Sequence, residues 1–213
     1  GNSHYILNGS KSFISGGPTS DIYAVMCRTG EEGANGVSCL LVEKGTKGLS
    51  FGKQEKKMGW NSQHTSMVNF DNCEIPIDNL VGNEGDGFKI AMKGLDGGRV
   101  NIAACSLGGA RAALESSISY SAERKQFGKS IDQFQVTQFK LADMATELEA
   151  SRLMVLRAAC SLDTLDIKAT KVCAMAKRYA TDICSVICDM ALQIHGGYGY
   201  LKDFPIERLV RDL

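Results

Sequence analysis

The chain has 213 residues, and its 24 Lys+Arg are balanced by 24 Asp+Glu, leaving a formal net charge of zero. With 44% hydrophobic and 23% charged residues it has the makings of a globular fold with a real core. The balance is even along the chain, so no basic field exists for nucleic acid or an anionic membrane, and no apolar run approaches the ~18 residues of a membrane span.

In chain order, residues 1–82 read as a small β domain. Tyr5–Leu7, Lys11–Ile14, Asp21–Cys27, Val37–Glu43, Leu49–Phe51 and Met67–Phe70 are short β-branched or aromatic runs bounded by Gly, Asn and Pro. Asn8-Gly9 reads as a hairpin turn between the first two runs. The Lys53–Lys57 run reads as a solvated turn. Several such strands in so short a stretch predict an antiparallel sandwich or barrel.

From Gly85 the apolar period changes to 3.6. Phe88, Met92 and Leu95 open one face, which Ile102, Ala103, Ala110 and Leu114 continue. Leu141, Met144, Leu148 and Val155 mark a second helix. The third stripe is the clearest, running through Val172, Met175, Tyr179, Ile183, Val186, Met190 and Ile194. Short polar loops at 121–130 and 161–166 connect these segments, and Gly196-Gly197 suits the C-cap of the third. The predicted fold class is therefore α+β: a β-sandwich or barrel over 1–82, then an up-down four-helix bundle over 83–213 with its last helix cut short. Gly1-Asn2-Ser3 enters strand-like sequence without an initiator Met, so the chain reads as the interior of a longer protein.

The eight cysteines are scattered, with no C-x-x-C pair and no His at ligand spacing. Cys184 and Cys188 share a helix face, but only three His are present and no metal is expected. The thiols read as buried and free, in a reducing compartment.

Three places break local rules. Gly97-Gly98 lie inside a helical pattern, where each costs about 1 kcal/mol relative to Ala. Close helix packing or close approach of a ligand would each justify them, and Asp96 and Arg99 flank the pair. Arg124-Lys-Gln-Phe-Gly128 reads either as an ordinary turn or as an anion clamp with an aromatic platform. Gln193-Ile-His-Gly-Gly-Tyr-Gly-Tyr200 places three glycines directly after a long helix, where backbone can approach a planar or phosphorylated group. By itself, His195 reads as structural.

From Gln193 the chain continues through Asp203, Arg208 and Asp212. Gln193, Gly196, Gly197, Gly199, Tyr200, Asp203, Arg208 and Asp212 resemble the C-terminal signature of the acyl-CoA dehydrogenase family. Asn8–Ser15 and Glu123–Gly128 resemble two further elements of that family, and the likeness extends along the whole chain. Gly59-Trp-Asn-Ser62, Gly94–Arg99 and His195–Asp203 are most similar to the branch that oxidises isobutyryl-CoA in valine breakdown.

The resemblance implies FAD as cofactor. It places Phe13, Ile14 and Ser15 along the flavin ring, with Phe13 where many relatives carry Trp. Arg124 corresponds to the pyrophosphate clamp with Phe127 beside it, Phe134 and Gln135 to the adenosine half, and Gln193, Ile194, His195, Gly196 and Gly197 to a loop approaching the cofactor. Asp96, Gly97, Gly98 and Arg99 correspond to substrate-side contacts. The implied reaction is α,β-dehydrogenation of an acyl thioester. A carboxylate takes the α-proton, the β-hydrogen leaves as hydride, and electrons pass on to an electron-transfer flavoprotein. In the family the bundle contacts reach the FAD of a neighbouring subunit, so a homo-oligomer, usually a tetramer, is implied, and a place in the mitochondrial matrix as well.

The family's catalytic Glu follows the signature, beyond Leu213, and its less common position on the first bundle helix corresponds to Gly98. No catalytic base is therefore assigned here, and the 213-residue chain is expected to be inactive alone. An acyl-CoA oxidase of the same fold, or a non-enzymatic acyl-thioester-binding assembly module, are the alternative readings.

Overall fold

The computed structural model describes residues 3–213; Gly1 and Asn2, part of the unusual N-terminal start, lie outside the described residues. The chain forms two compact units, one ending at Gly94 and the other beginning at Leu95.

The first unit holds five strands: β1 (His4–Ser15), β2 (Ile22–Arg28), β3 (Val37–Glu43), β4 (Leu49–Phe51) and β5 (Thr65–Pro76). They form two antiparallel sheets, ordered β1-β5-β4 and β2-β3. Residues of alternating pleat from both sheets share one core: Tyr23 and Val25, Leu40 and Val42, Val68 and Phe70. Of the two expected forms, this is the sandwich, and no closed barrel is formed.

Asn8-Gly9 is not a hairpin turn. The chain runs through it as one long β1, paired with β5 from His4↔Pro76 to Ser15↔Thr65. Between Leu7 and Gly9 the register shifts, with the extra residue carried by β5. Asn72 takes a positive φ of 49° there, and the Asn8 side chain accepts its backbone N–H at 2.8 Å. Turn propensity yielded to cross-strand pairing, because this bulge lets Phe70 and Cys73 both face the core.

The second unit is helical. Its elements are α1 (Gly87–Glu123), a small hairpin of β6 (Lys125–Gln126) and β7 (Lys129–Ser130), α2 (Gln135–Asp163), α3 (Ala169–His195) and α4 (Ile206–Asp212). The unit boundary falls inside α1.

The buried seam of α3 is displaced from the expected one. Cys173, Ala176, Ala180, Cys184, Ile187, Ala191 and His195 are buried, whereas Met175 and Val186 stand half-exposed. The steps along the seam are those of the expected stripe moved on by one residue, a rotation of about 100°. The reason is steric: small side chains let α3 lie close against α2 around Ala158, while Ala103, Ala110 and Ala113 of α1 share the same two cores. Larger apolar residues flank the contact. The opening face of the first helix also differs from expectation, since Phe88, Met92, Leu95 and Ile102 are exposed.

The thiols are all free, and five of them are buried, but Cys105 and Cys160 are exposed. Burial pushes Cys184 up to about 11 and Cys188 up to about 12 from an ordinary 9.0. A mild disulfide reagent at pH 8 is therefore expected to label Cys105 and Cys160 at once, and Cys184 and Cys188 only on unfolding. Because both folded values are raised, the stability that these thiols contribute is intact below pH 9. It is lost as the pH climbs through 11 to 12, which alkaline denaturation monitored by circular dichroism will show.

Candidate functional site

At the C-terminal end of α3 a cavity of about 530 Å³ opens, lined by Tyr120, Arg124, Ile194, His195, Gly197 and Tyr198 among others. The glycines beside it do different things. Gly196 caps α3 at φ 57°, ψ −135°, a conformation open essentially to glycine alone, and its N–H donates to the Gln193 carbonyl. Gly199 packs so tightly that a Cβ would lie 2.6 Å from the Leu192 carbonyl oxygen. A Cβ on Gly197 would meet nothing, so its bareness leaves room in the cavity.

Opposite this loop stands Arg124, directly after α1. Its N–H donates to the Tyr120 carbonyl at 2.9 Å, and its guanidinium carbon lies 5.5 Å from the centroid of the Tyr198 ring. Among the described residues it has no carboxylate partner, and no carboxylate lines the cavity. A guanidinium fork beside a bare glycine backbone is a site for an oxyanion.

The segment after Arg124 is a hairpin rather than a plain loop. Phe127 and Gly128 form its two-residue turn, both at positive φ (52° and 81°), as in a type I′ turn. Asn is the usual first residue of such a turn. Phe127 bears that conformational cost and is 92% exposed. Its ring meets Phe134 edge to face at 6.3 Å, and the Lys129 ammonium lies 4.3 Å from the centroid of Phe134.

The structure thus gathers Arg124, Ile194, His195, Gly196 and Gly197 around one cavity, with Phe127 and Phe134 touching each other. Gln135 and Gln193 are exposed at the ends of α2 and α3 and do not line it. His195 is buried, and both of its ring nitrogens have partners within the bundle. Gln126 and Tyr198, within the two motifs noted in the sequence, also line the cavity, as do Tyr120, Ile131 and Leu201, which the sequence reading did not include. Tyr120 is detectable as the residue one helical turn before Arg124, whereas Ile131 and Leu201 carry no local signal.

In the β unit, the second register shift of β1 falls between Lys11 and Ile14, and Phe13 occupies it with φ 58° and 77% exposure. The bulge turns this aromatic out of the pleat at a cost of about 1–3 kcal/mol. Ile14 and Ser15 line a cavity of about 370 Å³ within the same unit.

On α1, Asp96 is held from two sides. The Arg99 guanidinium lies 2.5 Å from its Oδ1, and the Thr170 hydroxyl of α3 donates to its Oδ2 at 2.6 Å. At Gly97 and Gly98 an added Cβ would meet no atom within 4 Å, so neither is a packing glycine of this bundle. Other helix carboxylates are engaged as well: Glu147 accepts from Tyr179, and Glu149 accepts from Nε and Nη2 of Arg152, whose hydrogen bonds lower its pKa.

Comparison with known proteins assigns this architecture. The family models for the acyl-CoA dehydrogenase middle domain and the acyl-CoA dehydrogenase C-terminal domain match residues 1–73 and 85–213. The chain is 58% identical over 209 residues to mitochondrial isobutyryl-CoA dehydrogenase of Bos taurus, covering 98% of this chain and 50% of that protein. It superposes on butyryl-CoA dehydrogenase of Megasphaera elsdenii with a TM-score of 0.96 at 44% identity, covering 98% of this chain and 55% of that one. It also superposes on a chain in the structure of the electron transferring flavoprotein of Acidaminococcus fermentans, with a TM-score of 0.97 at 47% identity, covering 99% and 56%. It spans about half the length of the curated relatives it matches. With both units matched, and with the arginine hairpin and the glycine loop side by side, the chain belongs to the acyl-CoA dehydrogenase family and carries its middle and C-terminal domains.

Proposed function

We propose that this chain supplies cofactor- and substrate-binding surfaces of an FAD-dependent dehydrogenase for a short branched acyl-CoA of the isobutyryl-CoA type. Members of the family are FAD-dependent flavoproteins. The observation that carries the reading is Arg124, a guanidinium without a carboxylate partner, resting on Tyr198 at the edge of a cavity with a bare glycine wall.

The residues present fit the dinucleotide. Gly197 leaves the cavity wall bare for a phosphate group, and Arg124 offers a planar fork of donors to the pyrophosphate. The Phe127–Phe134 pair offers an apolar platform to the adenosine half. In this reading these bundle contacts reach the FAD of a neighbouring subunit, and in the β unit Phe13 presents an aromatic face to a flavin ring and Ser15 a hydroxyl that can donate to its polar edge. When bound, the flavin supplies the hydride acceptor.

On the substrate side, Gly97 and Gly98 leave a smooth stretch of α1 beside which an acyl-CoA chain can lie, and the Asp96–Arg99 pair fixes a charged group next to it. No described carboxylate is assigned as the base. Asp96 is occupied by Arg99 and Thr170, Glu147 by Tyr179 and Glu149 by Arg152.

Assembly as a homo-oligomer, a tetramer in this reading, is supported by large apolar side chains left exposed on α2 and α3, including Phe139, Leu153, Leu156 and Met175. Transfer of electrons to an electron-transfer flavoprotein and a mitochondrial location are supported by the relatives' descriptions, and the matrix by the family resemblance.

Arg124→Gln removes a charge-assisted grip worth about 1.5–3 kcal/mol and is expected to raise the FAD dissociation constant of the intact flavoprotein roughly 10- to 100-fold. Fluorescence titration of the apoprotein measures it, and an unchanged constant would sink the reading. Gly97→Ala and Gly98→Ala should each stabilise the fold by about 0.5–1 kcal/mol in urea denaturation, because the new methyl group meets no neighbour. If α1 borders the acyl-CoA chain, the same substitutions raise KM for isobutyryl-CoA.

A further inference from the structure

His195 is buried, with only 2% of its surface exposed, and every polar atom of its ring is accounted for. Nδ1 lies 2.8 Å from the Ala191 carbonyl oxygen. A carbonyl can only accept, so Nδ1 carries a proton, and Nε2 meets the Ser116 hydroxyl at 3.3 Å. The imidazole is thus held in one orientation, with no nitrogen to spare for a ligand.

Its ring face is engaged too. It stacks on Tyr120, with centroids 4.4 Å apart and planes inclined by 21°. Phe204 meets both rings steeply, at 6.3 Å from His195 and 6.2 Å from Tyr120. Phe204 also packs on Tyr198, with centroids 5.2 Å apart, and Tyr198 is the ring that carries the Arg124 guanidinium. The backbone of Arg124 is tied to the same cluster, because its N–H donates to the Tyr120 carbonyl. Both ends of Arg124 therefore rest on one aromatic cluster, and the imidazole is its most deeply buried ring.

We propose that His195 is a positioning residue for the phosphate grip. By locking Tyr120 and, through Phe204, Tyr198, it presents the Arg124 fork to a dinucleotide pyrophosphate in a preset place. A free arginine loses rotamer freedom when it binds; one already laid on a braced ring loses less, and the saving appears as affinity. His195 acts through these neighbours without touching the phosphate. The inference rests on the reading that Arg124 grips that group.

The test is a set of double-mutant cycles in the intact flavoprotein, with FAD as probe and fluorescence of the apoprotein titration as readout. His195→Gln keeps a donor and an acceptor but removes the ring. Tyr120→Leu removes the stack from the other side, and it decides the matter should the first variant fail to fold. Each is expected to weaken FAD binding roughly 3- to 10-fold with Arg124 present, and to have no further effect in the Arg124→Gln background. Urea denaturation run in parallel separates a merely structural role, since any stability loss persists in both backgrounds while the affinity loss does not. Equal, additive losses of affinity in the two backgrounds, or no loss in either, would overturn the positioning role while leaving the arginine reading intact. If Arg124→Gln itself leaves FAD affinity unchanged, the underlying reading falls first, and the positioning role falls with it.

Discussion

The close approach of α3 to its neighbours is the constraint on which the helical unit depends. Cysteine and alanine at 173, 176, 180, 184, 188 and 191 let helix backbones come together where larger residues would hold them apart. The seam ends at His195, at the point where it meets Tyr120 and the hydroxyl of Ser116, both on α1. The same packing that closes the core therefore fixes the wall of the cavity, and the Arg124 hairpin emerges one turn beyond Tyr120. Site and core are mechanically one object here. A change in the depth of the α3 seam would move the glycine loop relative to the arginine.

Strain is stored where the molecule presents aromatic rings. Phe13 and Phe127 both adopt left-handed backbone conformations, and both are among the most exposed aromatic side chains. One sits in a β-bulge and the other in a two-residue hairpin turn, so neither conformation helps to bury a side chain. In each case the surrounding ladder imposes the geometry: β5 holds β1 on both sides of Phe13, and the β6–β7 pair closes around Phe127. By contrast, the bulge opposite Asn8 serves the core, because it brings Cys73 and Ile75 back into phase with Phe70.

With a net charge of zero, attraction for an anionic ligand has to be local. The structure makes it local by distributing partners unevenly. Arg99, Arg152 and Arg211 are each paired within a helix turn, whereas Arg124 is given an aromatic surface in place of a carboxylate. A paired arginine has already spent its fork; one laid on a ring keeps its donors available.

Much of the fold was legible because hydrophobic periodicity and turn chemistry are local. The strands at 37–43 and 49–51, the change of period near Gly85 and the cap at Gly196 all follow from residues within a few positions of each other. The glycine loop and the segment after Arg124 were legible as departures from local rules. Asn8-Gly9 misled because a turn signal says only that a turn is permitted, and the long pairing of β1 with β5 was decided by residues some sixty positions away. The α3 seam was displaced by one residue because periodicity weights large apolar side chains, while helix contact distance rewards small ones. Composition and pattern by themselves determined the α+β class, the absence of a general basic field and the residue types available to hold an anion. Only the tertiary structure decided that Gly97 and Gly98 face open space, that Asp96 is occupied, and that Tyr198 and the buried His195 stand behind Arg124. Those outcomes depend on which surfaces of distant segments meet, and no local pattern encodes that.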